Sequence, residues 1–400
     1  MFLLSLLPAF AGEAAPSAPP EAPPAASTPA EPVPAAPPPP ADAPPPPDFS
    51  AIAAPEPAPQ QIFPGMMNPS MSFNGLFLAG AQLNDGELAA PHLGGEAGES
   101  AFPMAGESYG TGLNVQEMEL QILSNVDPYF RANVVLAIPG LEGIEIEEGY
   151  VQLVSIPATT VTIGKVKGAF GRENLTHTHA LLTVDKSLVG QAIFGGEGLN
   201  DVAVNAAVLL PTPWYSEVTA QVDRGSNELL FNSGKPEGFG YLAHWKNQFD
   251  LSYDTSAELG VSGTAGENDA GGWSKVGGVD LTLKSHGRGR HQFNRVIWQS
   301  EFMFMSRDGA DARDLGGVYS TLEYSLDSRV WVGARYDYLG IAAGAEDQAQ
   351  AASAIFVFAP TEFSAFRVQA QRQWVPGGHT VDSVVGQLDF TIGVHPAHSY

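Results

Sequence analysis

From Ser70 onward, apolar and polar residues alternate with a period of two, the mark of strands with one wet face and one dry face. The final segment shows it best: Val384, Gly386, Leu388, Phe390, Ile392 and Val394 interleave with Ser383, Val385, Gln387, Asp389, Thr391 and Gly393. Phe130, Ala132, Val134, Leu136 and Ile138 repeat the pattern against Arg131 and Asn133. So do Phe366, Val368, Ala370 and Trp374 against Arg367, Gln369, Gln371 and Gln373, and Val330, Val332, Ala334, Tyr336 and Tyr338 against Arg329, Arg335 and Asp337. A soluble sandwich alternates too. Two features point to a membrane instead. Aromatic residues gather near strand ends (Trp214, Tyr215, Trp245, Trp331, Tyr338, Trp374), as in interfacial girdles. Short and long connections also alternate along the chain. About seven short turns and eight longer loops predict an all-β transmembrane antiparallel barrel of about sixteen strands over 70–400, with both ends in the periplasm. A barrel of that size leaves an aqueous lumen, whereas one of about eight strands fills with side chains.

The N-terminus reads differently. Phe2 to Leu7 is apolar and Ala9-Phe10-Ala11 is a small-x-small step, which predicts a signal peptide over 1–11. The segment 12–69 is Ala, Pro, Glu and Ser with almost nothing to bury, so a disordered, largely extended periplasmic linker is expected. It is a candidate for contact with peptidoglycan. Of 33 prolines, most lie here.

Composition removes several function classes. There is no cysteine, hence no disulfide, thiolate metal site or Cys nucleophile. A net charge of −25 excludes a nucleic-acid partner. The mean hydropathy of −0.04 does not count against a barrel, whose apolar residues are hidden in alternation. Ser and His occur in loops, but no spacing marks a nucleophile and its base, so the chain reads as a non-enzyme requiring no cofactor. A barrel hydrolase and a non-conducting barrel tethered to the cell wall are the readings of other classes.

The third long connection, 168–198, is too apolar for a loop in water, and an inserted, packed loop is expected. Its charged set, with the flanking strand, is Lys165, Lys167, Arg172, Glu173, Asp185 and Lys186, joined by His177 and His179 as candidate channel-constriction residues. The two histidines stand two apart, so an extended backbone puts both on one face, where they could share a zinc-like ion; His395 and His398 form a similar pair. Alternation sends Glu117, Glu119, Glu258, Asp280, Glu301, Glu323, Asp337 and Asp389 into the lumen against Arg131, Lys284, Arg295, Arg335 and Arg367. The first loop adds Asp85, Glu87, Glu96, Glu99 and Glu107 without one basic residue. More inward acids than bases predict a weakly cation-preferring or nearly non-selective pore, with Gln387 on an open wet wall.

The runs G-K-V-K-G-A-F-G-R-E-N (Gly164–Asn174), H-T-H (177–179), F-G-G-E-G-L (194–199), L-L-P-T-P-W (209–214) and the closing G-V-H-P-A-H-S-Y (393–400) carry a resemblance. The chain resembles the phosphate-selective-porin-like (O/P type) outer-membrane barrels of Gram-negative bacteria, including plugless relatives labelled zinc-regulated TonB-dependent receptors. The likeness implies a sixteen-strand outer-membrane channel, usually a homotrimer, for small hydrophilic solutes or ions. It also implies phosphate or other anion uptake, or zinc-linked uptake, as alternatives. A terminal aromatic, here Tyr400, implies recognition by the barrel-assembly machinery. The chain departs from the family in lacking an evident arginine and lysine ladder, and the N-terminal segment cannot form a plug.

Overall fold

The computed structural model describes residues 69–84, 112–140, 143–227, 229–287, 293–344 and 347–393. The chain divides into two units, Met1–Gln60 and Gln61–Tyr400, and the strands all belong to the second. The expected signal peptide, all but the last residue of the expected linker, the acids of the first loop, and His395, His398 and Tyr400 lie outside the described residues.

Sixteen strands follow in order. They are β1 (Ser70–Gln82), β2 (Gly112–Asn125), β3 (Phe130–Pro139) and β4 (Glu145–Leu153). Next come β5 (Thr159–Lys167), β6 (Asn200–Leu209), β7 (Tyr215–Asp223) and β8 (Gly240–Ser252). Then β9 (Thr255–Glu267), β10 (Trp273–His286), β11 (Arg295–Arg307) and β12 (Arg313–Ser325). The last are β13 (Val330–Ile341), β14 (Ala349–Thr361), β15 (Ser364–Val375) and β16 (His379–Gly393). Each pairs antiparallel with its chain neighbours, and β1 pairs with β16, with Phe77 opposite Leu388, to close the barrel. Closure leaves no unpaired sheet edge, a requirement where no water can satisfy the backbone. The strand count matches the expectation, but short and long connections do not alternate throughout: 287–294, between β10 and β11, is longer than 268–272 and 308–312 on either side of it.

Burial runs opposite to that of a soluble protein. Along β16, Gln387, Asp389 and Thr391 are buried while Leu388 and Ile392 are exposed. Val204, Val261, Phe302, Leu322 and Phe356 extend the apolar outer surface around the barrel. A continuous apolar exterior of this kind is a lipid-facing surface. Trp214, Tyr215, Trp245 and Trp374 are on the exposed side, but Trp331 is not. It packs inward with Ile297, Ile355, Val357 and Ala365. Its neighbours Val330 and Val332 belong to the outer face, so strand alternation turns Trp331 to the other side.

One irregularity matters for the site. The β3–β4 register shifts between Val135 and Leu136, which pair with Glu148 and Ile146, so Glu147 is an extra residue in β4. The bulge lets the adjacent Glu147 and Glu148 both be buried.

Candidate functional site

The connection from Gly168 to Leu199 does not extend away from the barrel; it folds back inside it. Its neck is tied by the Gly168 amide, which donates to the Leu199 carbonyl at 2.7 Å. The buried Asn174 amide donates to the carbonyls of Gly168 (2.8 Å) and Leu199 (3.0 Å) and accepts from Leu199 N at 2.7 Å. Gly171 takes a φ of +57°, and a side chain there would collide with the Glu301 carboxylate. Two short 3-10 turns, Glu173–Leu175 and Thr178–Ala180, lead to helix α1 (Leu188–Phe194). Ser187 caps α1 by accepting from Gly190 N. The apolar side chains Leu188, Val189, Ile193 and Phe194 pack with Phe170 and with Met303, Met305, Leu315 and Leu339 of β11–β13. Leu230 and Phe231, from the loop between β7 and β8, join the same cluster. Part of the lumen is therefore a dry core, which is why this loop is so apolar.

Buried polar groups fasten the loop to walls nearly half the ring apart. On one side, Ser262 of β9 accepts from Gly171 N, and Glu301 of β11 accepts from Arg172 N (2.9 Å) and Glu173 N (2.6 Å). On the other, Gln116 of β2 donates to the Val184 carbonyl, and Gln369 of β15 accepts from Val184 N and donates to Asp185. Between them, Arg335 of β13 donates to Asp185, Asp337 and Thr183. Arg367 donates to the His179 carbonyl and to Gln387, and stands 3.8 Å from Asp389. Inside the loop, Glu173 accepts from both the amide and the hydroxyl of Ser187. Burial pushes its carboxyl above the usual carboxylate range, outweighing the Ser187 donors and the charge of Arg335.

The inward charges thus separate into two populations. Glu301, Glu323, Asp280, Asp337, Asp389, Arg335 and Arg367 are buried. Half-exposed are Glu117, Arg295 and Lys284, and Arg172, which pairs with Glu258 at 2.9 Å; Arg131 is exposed near a short turn. Lys246, not singled out from sequence, shares Glu258 at 3.1 Å. A cavity of about 270 Å³ lies here, bordered by Arg172, Leu175, His177, Lys284, Gln299 and Thr321. Of the other charges assigned to the loop, Asp185 is buried, and Lys186 donates to the Gly196 carbonyl. Lys165 donates to the Ile146 carbonyl of the opposite strand, not to any part of the loop.

His177 is the centre of a second cluster, where the loop meets β2, β4 and the end of β5. Its Nδ1 lies 3.2 Å from both Glu119 Oε2 and Glu147 Oε2, and its Nε2 is 3.3 Å from Glu148 Oε2. His179 stacks on it with ring centroids 5.7 Å apart, its Nδ1 3.4 Å from Glu119 Oε2. Lys167 is buried against Glu147 at 2.7 Å, and Thr178 donates to Glu117. Burial and Lys167 act to discharge the imidazole of His177, but Glu119, Glu147 and Glu148 outweigh them and hold its pKa well above the ordinary value. Glu147 and Glu148 were missed from sequence because a bulge, invisible to strict alternation, turns them inward.

No family model matches the chain. An uncharacterised protein of Aquifex aeolicus is 27% identical over 339 residues, covering 72% of this chain and 70% of that one. Among solved structures, the anion-selective porin from Comamonas acidovorans aligns with a TM-score of 0.52 at 10% identity, covering 81% of this chain and 98% of its own. The outer-membrane channel DcaP of Acinetobacter baumannii gives 0.53 at 11% identity, covering 81% and 97%. Salmonella typhi OmpF, solved with daunomycin, gives 0.55 at 8%, again covering 81% and 97%. The fold is that of the outer-membrane porins.

Proposed function

We propose that this chain is an outer-membrane diffusion porin for small hydrophilic solutes or ions, narrowed by its third loop. The observation that carries the reading is the loop itself. It is fastened to β9 and β11 on one side and to β2 and β15 on the other, while Arg172, Lys246, Lys284 and Gln299 remain half-exposed beside it. A barrel that only anchored a tail would need no such wet strip. The test is single-channel recording of the full chain refolded into planar bilayers. Stepwise, ohmic conductance is expected, and a folded barrel that never conducts refutes the proposal. Homotrimeric assembly belongs to the same proposal and is read from the mass of the detergent-extracted protein.

A second reading, a lean toward anions, is favoured by the strip. The acids that tilt a simple count toward cations include Asp185, Glu301, Glu323, Asp337 and Asp389, all buried. At the half-exposed level, Arg172, Lys246 and Lys284 face Glu258. Screening over about 8 Å at physiological salt gives such local charges more weight than distant ones. Reversal potentials across a salt gradient decide it: a modest anion preference, moved toward cations by Lys284→Glu, is the expected result.

A further inference from the structure

We propose that Glu119, Glu147 and His177 form a binding site for a divalent transition-metal ion, and that the ion pins the third loop to the barrel wall. The three come from separate elements, β2, β4 and the loop, and each offers one ligand atom within 4.8 Å of the other two. A tetrahedral ion bound at about 2.0–2.2 Å separates its ligand atoms by roughly 3.4 Å. The ring nitrogen of His177 already stands 3.2 Å from an oxygen of each glutamate, so little rearrangement would close the shell.

Two further observations point to an ion. Glu119 is only 6% exposed, yet its Oε2 receives no well-directed hydrogen bond, although ring nitrogens of His177 and His179 lie within 3.4 Å. Without an ion, its charge is offset by that of the His177 ring rather than by a hydrogen bond, since the hydrogen bond of Nδ1 is made to Glu147, and an ion on that nitrogen would meet both carboxylates directly. The second is Glu148, whose Oε2 is 3.3 Å from Nε2 of His177. A carboxylate on the far nitrogen is the outer-shell arrangement that orients a metal-bound imidazole and leaves the near nitrogen's lone pair for the ion. Lys167 does not compete for the same atom, because it pairs with Oε1 of Glu147 while Oε2 faces His177. His179 Nδ1, 3.4 Å from the same Glu119 oxygen, stands beside the open position. Two carboxylates and an imidazole, with no thiolate, suit zinc or a similar first-row ion better than calcium, which takes six to eight oxygens. Binding replaces the proton on Nδ1, so an ion and a proton compete for this nitrogen.

The site rests on the docked loop and not on the pore reading. A barrel that binds zinc without conducting fails only the latter, and one that conducts without binding fails only this proposal. The probe is zinc chloride added to the metal-stripped, detergent-folded full chain and followed by calorimetry, with calcium as the hard-ion control. Stoichiometric zinc binding is expected in the wild type and its loss in both Glu119→Gln and His177→Gln. Glu148→Gln should weaken it by about 10–100-fold without changing the stoichiometry. His379→Ala, at a histidine far along the chain in β16, should change nothing. Compact mobility on unheated gels verifies that each variant has folded. Absence of stoichiometric zinc binding in the folded wild type, or its retention in folded Glu119→Gln and His177→Gln, overturns the proposal.

Discussion

Removing the Arg335 side chain should free the third loop while leaving the barrel closed. The guanidinium is buried and donates four hydrogen bonds: to Asp337 Oδ2 (2.8 Å), Thr183 Oγ1 (2.8 Å), the Asp185 carbonyl (2.7 Å) and Asp185 Oδ1 (2.9 Å). In Arg335→Ala, both carboxylates keep some support, Asp185 from Gln369 and Asp337 from the Leu188 amide, but neither keeps a cation. Stripping one partner from a buried ion pair costs about 3–5 kcal/mol. At 1.4 kcal/mol per tenfold, the docking equilibrium of the loop should fall by a factor between about 10² and about 4 × 10³. The penalty falls on the loop because the β13 ladder to β12 and β14 is made by backbone groups.

Two readouts follow this release without depending on each other. Channel conductance should rise and become noisier as the loop leaves the lumen. The amides of Val184 and Leu188, which donate to Gln369 and Asp337, should lose protection against hydrogen exchange. If conductance, noise and both amides are unchanged in a folded Arg335→Ala barrel, the clamp assignment is wrong. A compensating triple variant sharpens the test: Arg335→Met with Asp185→Asn and Asp337→Asn removes all three charges together. Neutral replacement of a whole buried ionic group is often harmless, so it should restore most of the docking that Arg335→Ala loses.

Leu388→Arg, on the lipid side, should destabilise the barrel by about 2–4 kcal/mol, measured by urea unfolding in vesicles. Gln387→Arg would be mild on a wet wall; instead Gln387 is 0% exposed and holds Arg367 and Gln116, so a second guanidinium there should be no better tolerated than Arg at Leu388. Glu173 has a folded pKa above its ordinary 4.5, so its share of loop stability is full below that pH and is lost as pH rises through the folded value. Glu173→Gln should therefore flatten the pH dependence of loop protection and keep the loop docked at neutral pH. Deleting Glu13–Pro64 should leave a heat-modifiable folded barrel, because that stretch has almost nothing to bury and β1, which starts at Ser70, pairs with β16 through its own ladder.

The barrel was legible because its constraint is local: a lipid-facing strand must alternate, and a two-residue period survives in any window that holds a strand. Trp331 shows the rule outranking composition, since it reads as a girdle aromatic until its parity beside Val330 and Val332 is followed inward. The third loop was legible only as an anomaly, too apolar to sit in water. Its position depends on pairings between residues more than a hundred apart, such as Asp185 with Arg335 and Arg172 with Glu301, which no periodicity encodes. The same non-locality divides the inward charges that a simple count treats alike. Alternation tells which side of the sheet a carboxylate takes, and both Glu258 and Glu301 take the inner one. Whether that inner side is water or protein depends on where the loop folds, and it covers Glu301 while leaving Glu258 half-exposed beside Arg172 and Lys246. In the proposed porin, selectivity would follow from which inward charges the loop leaves uncovered, and sheet parity alone cannot supply that information.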